Sequence, residues 1–159
     1  MAIARTVQHA LEQSGISFDV IAHDPTPSSL RTADAAHLDP GAIAKAVLLT
    51  DDEDRGRHLM AVVPASCRVS MTEVSRRTGR PVHLATEDDA ARVFPDCRLG
   101  AVPPLGPAYG VETVWDDRLM TRSDVYFEAG DHEHLVHVKT WDFVRLLPSA
   151  AHGRISAAK

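Results

Sequence analysis

Lys45-Ala46-Val47-Leu48-Leu49-Thr50, a polar run from Asp51 to Arg57, and then Leu59-Met60-Ala61-Val62-Val63 form the stretch on which the fold turns. Two short apolar, β-branched runs separated by a charged connection predict a hairpin. Upstream, apolar Val7, Ala10 and Leu11 share one face of a helix predicted from Ile3 to Gln13, stopped by Gly15. Ile16 to Ile21 alternates apolar and polar positions as a half-buried strand does, and the prolines of His23-Asp24-Pro25-Thr26-Pro27-Ser28 mark a loop. Thr32 reads as the N-cap of a short Ala-rich helix through Leu38, broken by Pro40-Gly41.

Downstream of the hairpin, Ser70-Met71-Thr72-Glu73 has the spacing of a capping box and opens a helix to Gly79. Pro81 to Ala85 is a short strand, and Thr86 with Asp89 starts another helix that stops by Pro95. Three strands follow at Val111–Trp115, Val125–Glu128 and Leu135–Lys139, then a helix capped by Thr140 through Leu147. Strands and helices mix without a strict βαβ rhythm, which predicts an α+β domain with a mixed, mostly antiparallel sheet. Residues 149–159 are Ala-rich without periodicity and read as a flexible tail. The expected organisation is therefore one domain over 1–148 followed by that tail.

The totals narrow the function. The chain has 159 residues, 44% hydrophobic and 25% charged, enough for one domain with a real core. A net charge of −5 lacks the broad basic surface of a duplex-DNA binder, although a few local cations suffice to meet a nucleic-acid end. No apolar run approaches the ~20 residues of a membrane span, and Met1 to Gln8 reads as an amphipathic helix start, not a signal peptide. A cytoplasmic location is expected. Cys67 and Cys97 lie outside any CxxC pair and read as small buried hydrophobes. No Walker loop, dinucleotide glycine fingerprint or G-x-S-x-G elbow is present.

What remains is one lysine and a stiff backbone. Pro103 and Pro104 fix φ within Leu99-Gly100-Ala101-Val102-Pro103-Pro104-Leu105-Gly106, and Gly100 and Gly106 can take angles closed to other residues. Such a loop either simply joins two elements or recognises a ligand through its N–H and C=O groups. Lys45 likewise either marks a strand end, its stem snorkelling, or holds a cation beside a cleft. Gly130-Asp131-His132-Glu133-His134 suggests a metal by its alternating histidines, but no third ligand is evident and no metal is expected. Two alternating side chains on a hairpin tip are usually just solvated, and one of them lining a pocket is a better reading than a metal site; His23 either forms an ordinary Asx-type turn with Asp24 or borders the same cleft.

Four ordered pieces resemble the YbaK/prolyl-tRNA synthetase-associated editing-domain family of freestanding aminoacyl-tRNA deacylases. They are His23-Asp24-Pro25-Thr26 with its Ala-rich helix, the lysine-led Ala44-Lys45-Ala46-Val47-Leu48-Leu49, the G-x-x-x-P run Gly100 to Pro104, and Val125 to Gly130 flanked by Trp115-Asp116 and Trp141-Asp142-Phe143. The resemblance covers about residues 5 to 147. It implies a partly barrel-like sheet surrounded by helices, and metal-independent, cofactor-free hydrolysis of the ester joining a wrong amino acid to tRNA. By the same resemblance Lys45 and Gly100 are the catalytic residues. Lys45 holds the acceptor end, and Gly100, Ala101, Val102, Pro103 and Pro104 cradle the aminoacyl group. His23, Gly130 and His132 adjoin the substrate, and a ribose hydroxyl helps activate the water. The implied partners are aminoacyl-tRNA, with alanine on tRNA for proline as the expected substrate, and a synthetase. A non-catalytic tRNA- or protein-binding module and a hydrolase of small free esters are the competing readings.

Overall fold

The structure, a computed structural model, describes residues 3–26 and 28–159. Met1 and Ala2 at the predicted start of the first helix, and Pro27 of the predicted loop, lie outside the described residues. Helix α1 (Arg5–Ser14) buries Val7 and Leu11 and ends on Gly15, whose φ of 67° and N–H bond to the Glu12 carbonyl close the helix. Strand β1 (Asp19–Ala22) follows. Helix α2 (Ser29–Ala35) starts before the predicted Thr32 because Ser28, already extended, takes the cap by accepting the Arg31 N–H. Thr32 instead lies inside the helix and donates its hydroxyl to the Ser28 carbonyl, 2.9 Å away.

The hairpin forms as expected, between β2 (Ile43–Asp51) and β3 (His58–Pro64), with Lys45 opposite Val63 and Thr50 opposite His58. After it come β4 (Cys67–Val69), α3 (Met71–Thr78), β5 (Val82–Leu84) and α4 (Glu87–Val93). Thr86 and Asp89 complete a reciprocal capping box on α4. At α3, the Ser70 hydroxyl accepts the Glu73 N–H. Strands β6 (Glu112–Asp116), β7 (Asp124–Glu128) and β8 (His134–Lys139) precede α5 (Thr140–Arg145), which is capped by Lys139 with Thr140 as its first residue.

The main sheet runs β1-β8-β7-β2-β3-β6, with β5 beside the far half of β2. It is mixed: β2–β7 and β3–β6 are parallel, while β1–β8, β7–β8, β2–β3 and β2–β5 are antiparallel. Both faces are covered. Ala44, Leu48, Met60 and Val62 pack with α1 and α5 residues on one side, and Leu49, Leu59, Ala61 and Val63 pack with Val74 of α3 on the other. That double burial explains why the two hairpin strands are continuously apolar rather than alternating.

The expected flexible tail is the main correction. Residues 151–153 form β9 (Ala151–Gly153), parallel to β6 at the sheet's edge, and residues 156–158 form β10 (Ser156–Ala158), antiparallel to β4. Ile155 between them is fully buried, worth about 1.5–3 kcal/mol for an aliphatic side chain. The buried Asp116 carboxylate holds the segment, accepting from the Ile155 N–H at 2.9 Å and the Ser156 hydroxyl at 2.6 Å. Trp115 stacks on His152 with centroids 4.4 Å apart. Strands of three residues leave no periodicity to read, so composition alone suggested a tail.

Candidate functional site

The two halves of the sheet meet in a two-residue parallel ladder, Ile43 opposite Tyr126 and Ala44 opposite Phe127. A cavity of about 50 Å³ opens where that ladder ends, lined by the next residues on each strand, Lys45 and Ala46 on β2 and Glu128 on β7. Gly100, Val102 and His132 line it too, as do Ser28, Ser29 and Thr32 at the start of α2. The lysine and the proline-stiffened loop, 55 positions apart in the chain, thus share one cavity.

Within the loop the residues divide. Gly100 takes φ +80°, a conformation that favours glycine. A Cβ there would only touch the His132 ring, so conformation and not space selects glycine at this position. Gly106 is the reverse, a correction to the reading that both glycines serve unusual angles. Its φ is not positive, and a Cβ would run into the Thr113 hydroxyl. Ala101, Pro103 and Pro104 are buried behind the cavity wall and do not line it. The Ala101 N–H is spent on the Arg98 carbonyl at 2.9 Å. Among the described residues the N–H groups of Gly100 and Val102, the loop residues that line the cavity, donate to no protein acceptor.

Lys45 donates its amine to the Cys67 carbonyl at 3.0 Å. Burial, reinforced by the neighbouring Lys159 ammonium, pushes its pKa down to about 8. Opposite it, the Glu128 carboxyl is pushed upward, chiefly by burial. One Glu128 oxygen accepts the N–H groups of Ala129 at 2.9 Å and Gly130 at 3.2 Å. The other lies 3.8 Å from His132 Nδ1, beyond a normal hydrogen bond. His132, at φ 66°, donates from Nε2 to the Leu99 carbonyl at 2.7 Å, which ties the β7–β8 turn to the loop.

The structure separates the remaining predicted residues. Of the two histidines, His132 lines the cavity, whereas His134 bonds Asp131 at 2.6 Å. Gly130 faces a different, open cleft with Cys97 and Asp96, and its Cβ would press on Ala4 and Cys97. His23 is not among the lining residues; its Nδ1 pairs with the Asp24 carbonyl at 2.7 Å. Sequence reading missed Glu128, Ser28, Ser29 and Thr32. The only signal for Glu128 was a charged residue ending an apolar strand. Among the described residues no three His, Cys, Asp or Glu side chains are grouped to hold a metal ion, and no helix is long and apolar enough to cross a membrane.

The model of the aminoacyl-tRNA editing domain matches residues 23–146, which contain every residue of this cavity. The chain belongs to that family. Solved structures agree on the fold. A hypothetical protein superposes with a TM-score of 0.83 at 20% identity, covering 96% of this chain and 100% of its own. A candidate trans-editing enzyme for prolyl-tRNA synthetase gives 0.81 at 22% identity, over 98% and 97% of the two chains. A candidate signal transduction protein from Marinobacter aquaeolei VT8 gives 0.75 at 21%, with 96% of this chain matching 30% of that one. Among the curated proteins none matches. These likenesses carry the fold past residue 146.

Proposed function

We propose that this editing domain hydrolyses the ester of mischarged aminoacyl-tRNA in trans, removing a small amino acid such as alanine from tRNA for proline. The observation that carries the reading is the convergence of Lys45, Gly100 and Val102 on one small cavity. About 10–15 Å³ of such space holds one water, so about 50 Å³ admits a handful of heavy atoms. That suits an alanyl group and disfavours a larger ring, the size logic of a second sieve. The neighbour assigned as a candidate trans-editing enzyme for prolyl-tRNA synthetase supports the choice of tRNA and of a synthetase as partner.

The mechanism follows from the walls. The ester carbonyl sits over the loop, and the Gly100 and Val102 N–H groups receive the oxyanion as water adds. Preorganised donors of this kind are each worth about 3 kcal/mol. The Lys45 ammonium, anchored at the Cys67 carbonyl, faces a phosphate of the acceptor end. A ribose hydroxyl of the substrate helps activate the water, so the chain supplies no nucleophile and no metal or cofactor. DNA and membranes have no part in this scheme.

Deacylation of alanyl-, seryl- and cysteinyl-tRNA for proline tests the reading. Wild type should release alanine fastest, and Lys45→Ala should lower that rate at least about a hundredfold. Binding of tRNA with no turnover across the panel would sink it in favour of a binding module. Full activity in Lys45→Ala would remove the lysine from the mechanism.

A further inference from the structure

Beside the loop stands a carboxylate for which the scheme above has no use. Among the described residues Glu128 is the one acid lining the cavity. Its first oxygen is saturated by two backbone N–H groups, and the second has only the His132 ring, 3.8 Å away. Lys45 would neutralise it but is turned to the Cys67 carbonyl instead. Glu128 lines the cavity, and this second oxygen, with no close partner, can accept a charge-assisted hydrogen bond from a cation bound there. Burial pushes its pKa upward.

We infer that the free Glu128 oxygen binds the α-ammonium of the aminoacyl group, so that the cavity selects esters with an unblocked amine. The inference rests on the proposed editing reaction and deepens it. Opposite charges on adjacent strands then orient the substrate: the amine goes to the β7 side, the phosphate to the β2 side, and the ester carbonyl lies between them above Gly100. An ester whose α-nitrogen is acylated has neither the charge nor the room and is left intact. The spare oxygen on Glu128 thus distinguishes a mischarged amino acid from an acylated chain end.

The test uses pairs that differ in the amine and little in size. Binding of 3′-alanylamido-3′-deoxyadenosine and its 3′-propionylamido analogue is measured by calorimetry. Hydrolysis of alanyl-tRNA and lactyl-tRNA for proline is compared after subtracting the spontaneous rates. Wild type should prefer the amine-bearing member of each pair at least about tenfold, as a charge-assisted hydrogen bond provides. Glu128→Gln keeps an oxygen for the Ala129 and Gly130 N–H groups, and should abolish the preference by weakening the amine-bearing member alone. Equal treatment of the amide pair by wild type, or an unchanged preference in a folded Glu128→Gln, overturns the inference while leaving editing intact. A wild type that binds the alanyl amide preferentially yet hydrolyses no ester would sink the editing reaction and support the amine site. The wild-type amide comparison decides the matter even if the variant does not fold.

Discussion

The two sides of the cavity are held in opposite ways. On the β7 side the contacts of Glu128 are local: it caps its own turn and His132 sits four residues on, and only the His132 ring reaches away, to the Leu99 carbonyl beside Gly100. On the β2 side the Lys45 amine depends on a carbonyl of β4, which is paired with β10 at the far end of the chain. Asp116 and Arg118 hold that end in turn, Arg118 through 3.0 Å to the Ser156 carbonyl and 3.4 Å to Cys67 Sγ. One side of the site is therefore a turn, and the other is the product of long-range pairing. Damage to distant packing should reach the lysine and spare the carboxylate.

Asp116→Ala gives the largest effect that separates them. It orphans the buried Ile155 N–H and the Ser156 hydroxyl together, at about 1–3 kcal/mol for each buried group left unpaired. Urea unfolding should therefore show a loss of about 2–6 kcal/mol. With β10 lifted from β4, the amine loses its anchor, and deacylation should fall by more than the folded fraction explains. The Glu128-dependent preference for the alanyl amide should persist. Wild-type stability in this variant, or loss of the amine preference alongside activity, would break the contrast.

A pH profile sharpens it further, because both charged groups sit against their environment. The Lys45 amine loses its proton as pH rises through about 8, so activity that needs the ammonium falls there. Over the interval from about 8 to 10.5 the unfolded chain binds the extra proton, so this lysine makes stability rise with pH as activity declines. Glu128 behaves as the mirror image. Its raised pKa keeps it protonated above the ordinary carboxyl range, so activity climbs with pH across that window while its stability contribution declines. Opposed trends of activity and stability on both limbs, followed by initial rates and thermal unfolding, are expected. An alkaline limb unchanged in Lys45→Arg would detach that limb from the lysine amine.

Legibility in the sequence followed the same division. The hairpin, the Thr86–Asp89 capping box and the stiff loop were readable because each is set by neighbours within a few positions. Lys45 and the loop were both picked out, but only the β2–β7 ladder and the fold around it put them in one cavity. Gly130 illustrates the limit. It stands two residues from His132, yet a φ of 120° turns it toward Ala4 and Cys97. The β9 and β10 strands were invisible because nothing within three residues specifies a partner thirty to ninety positions away.

The smallest expected effect lies just behind the loop, at Cys97, where the eye is drawn to a thiol near the proposed site of hydrolysis. Its Sγ lies 3.5 Å from an Asp96 carboxylate oxygen and 3.4 Å from the Tyr109 hydroxyl, and it is packed under Gly130. Burial, with the nearby acids, pushes its pKa up to about 12. At neutral pH the thiolate population is then negligible, and the thiolate is the nucleophilic form. Cys97→Ser preserves the hydrogen bonds, and its deacylation rate should stay within about twofold of wild type, since changes outside a site's working groups move free energies by only about 0.5 kcal/mol. A collapse of activity in a stably folded Cys97→Ser would show that the chemistry runs through the cleft beneath Gly130 and not through the gap between β2 and β7.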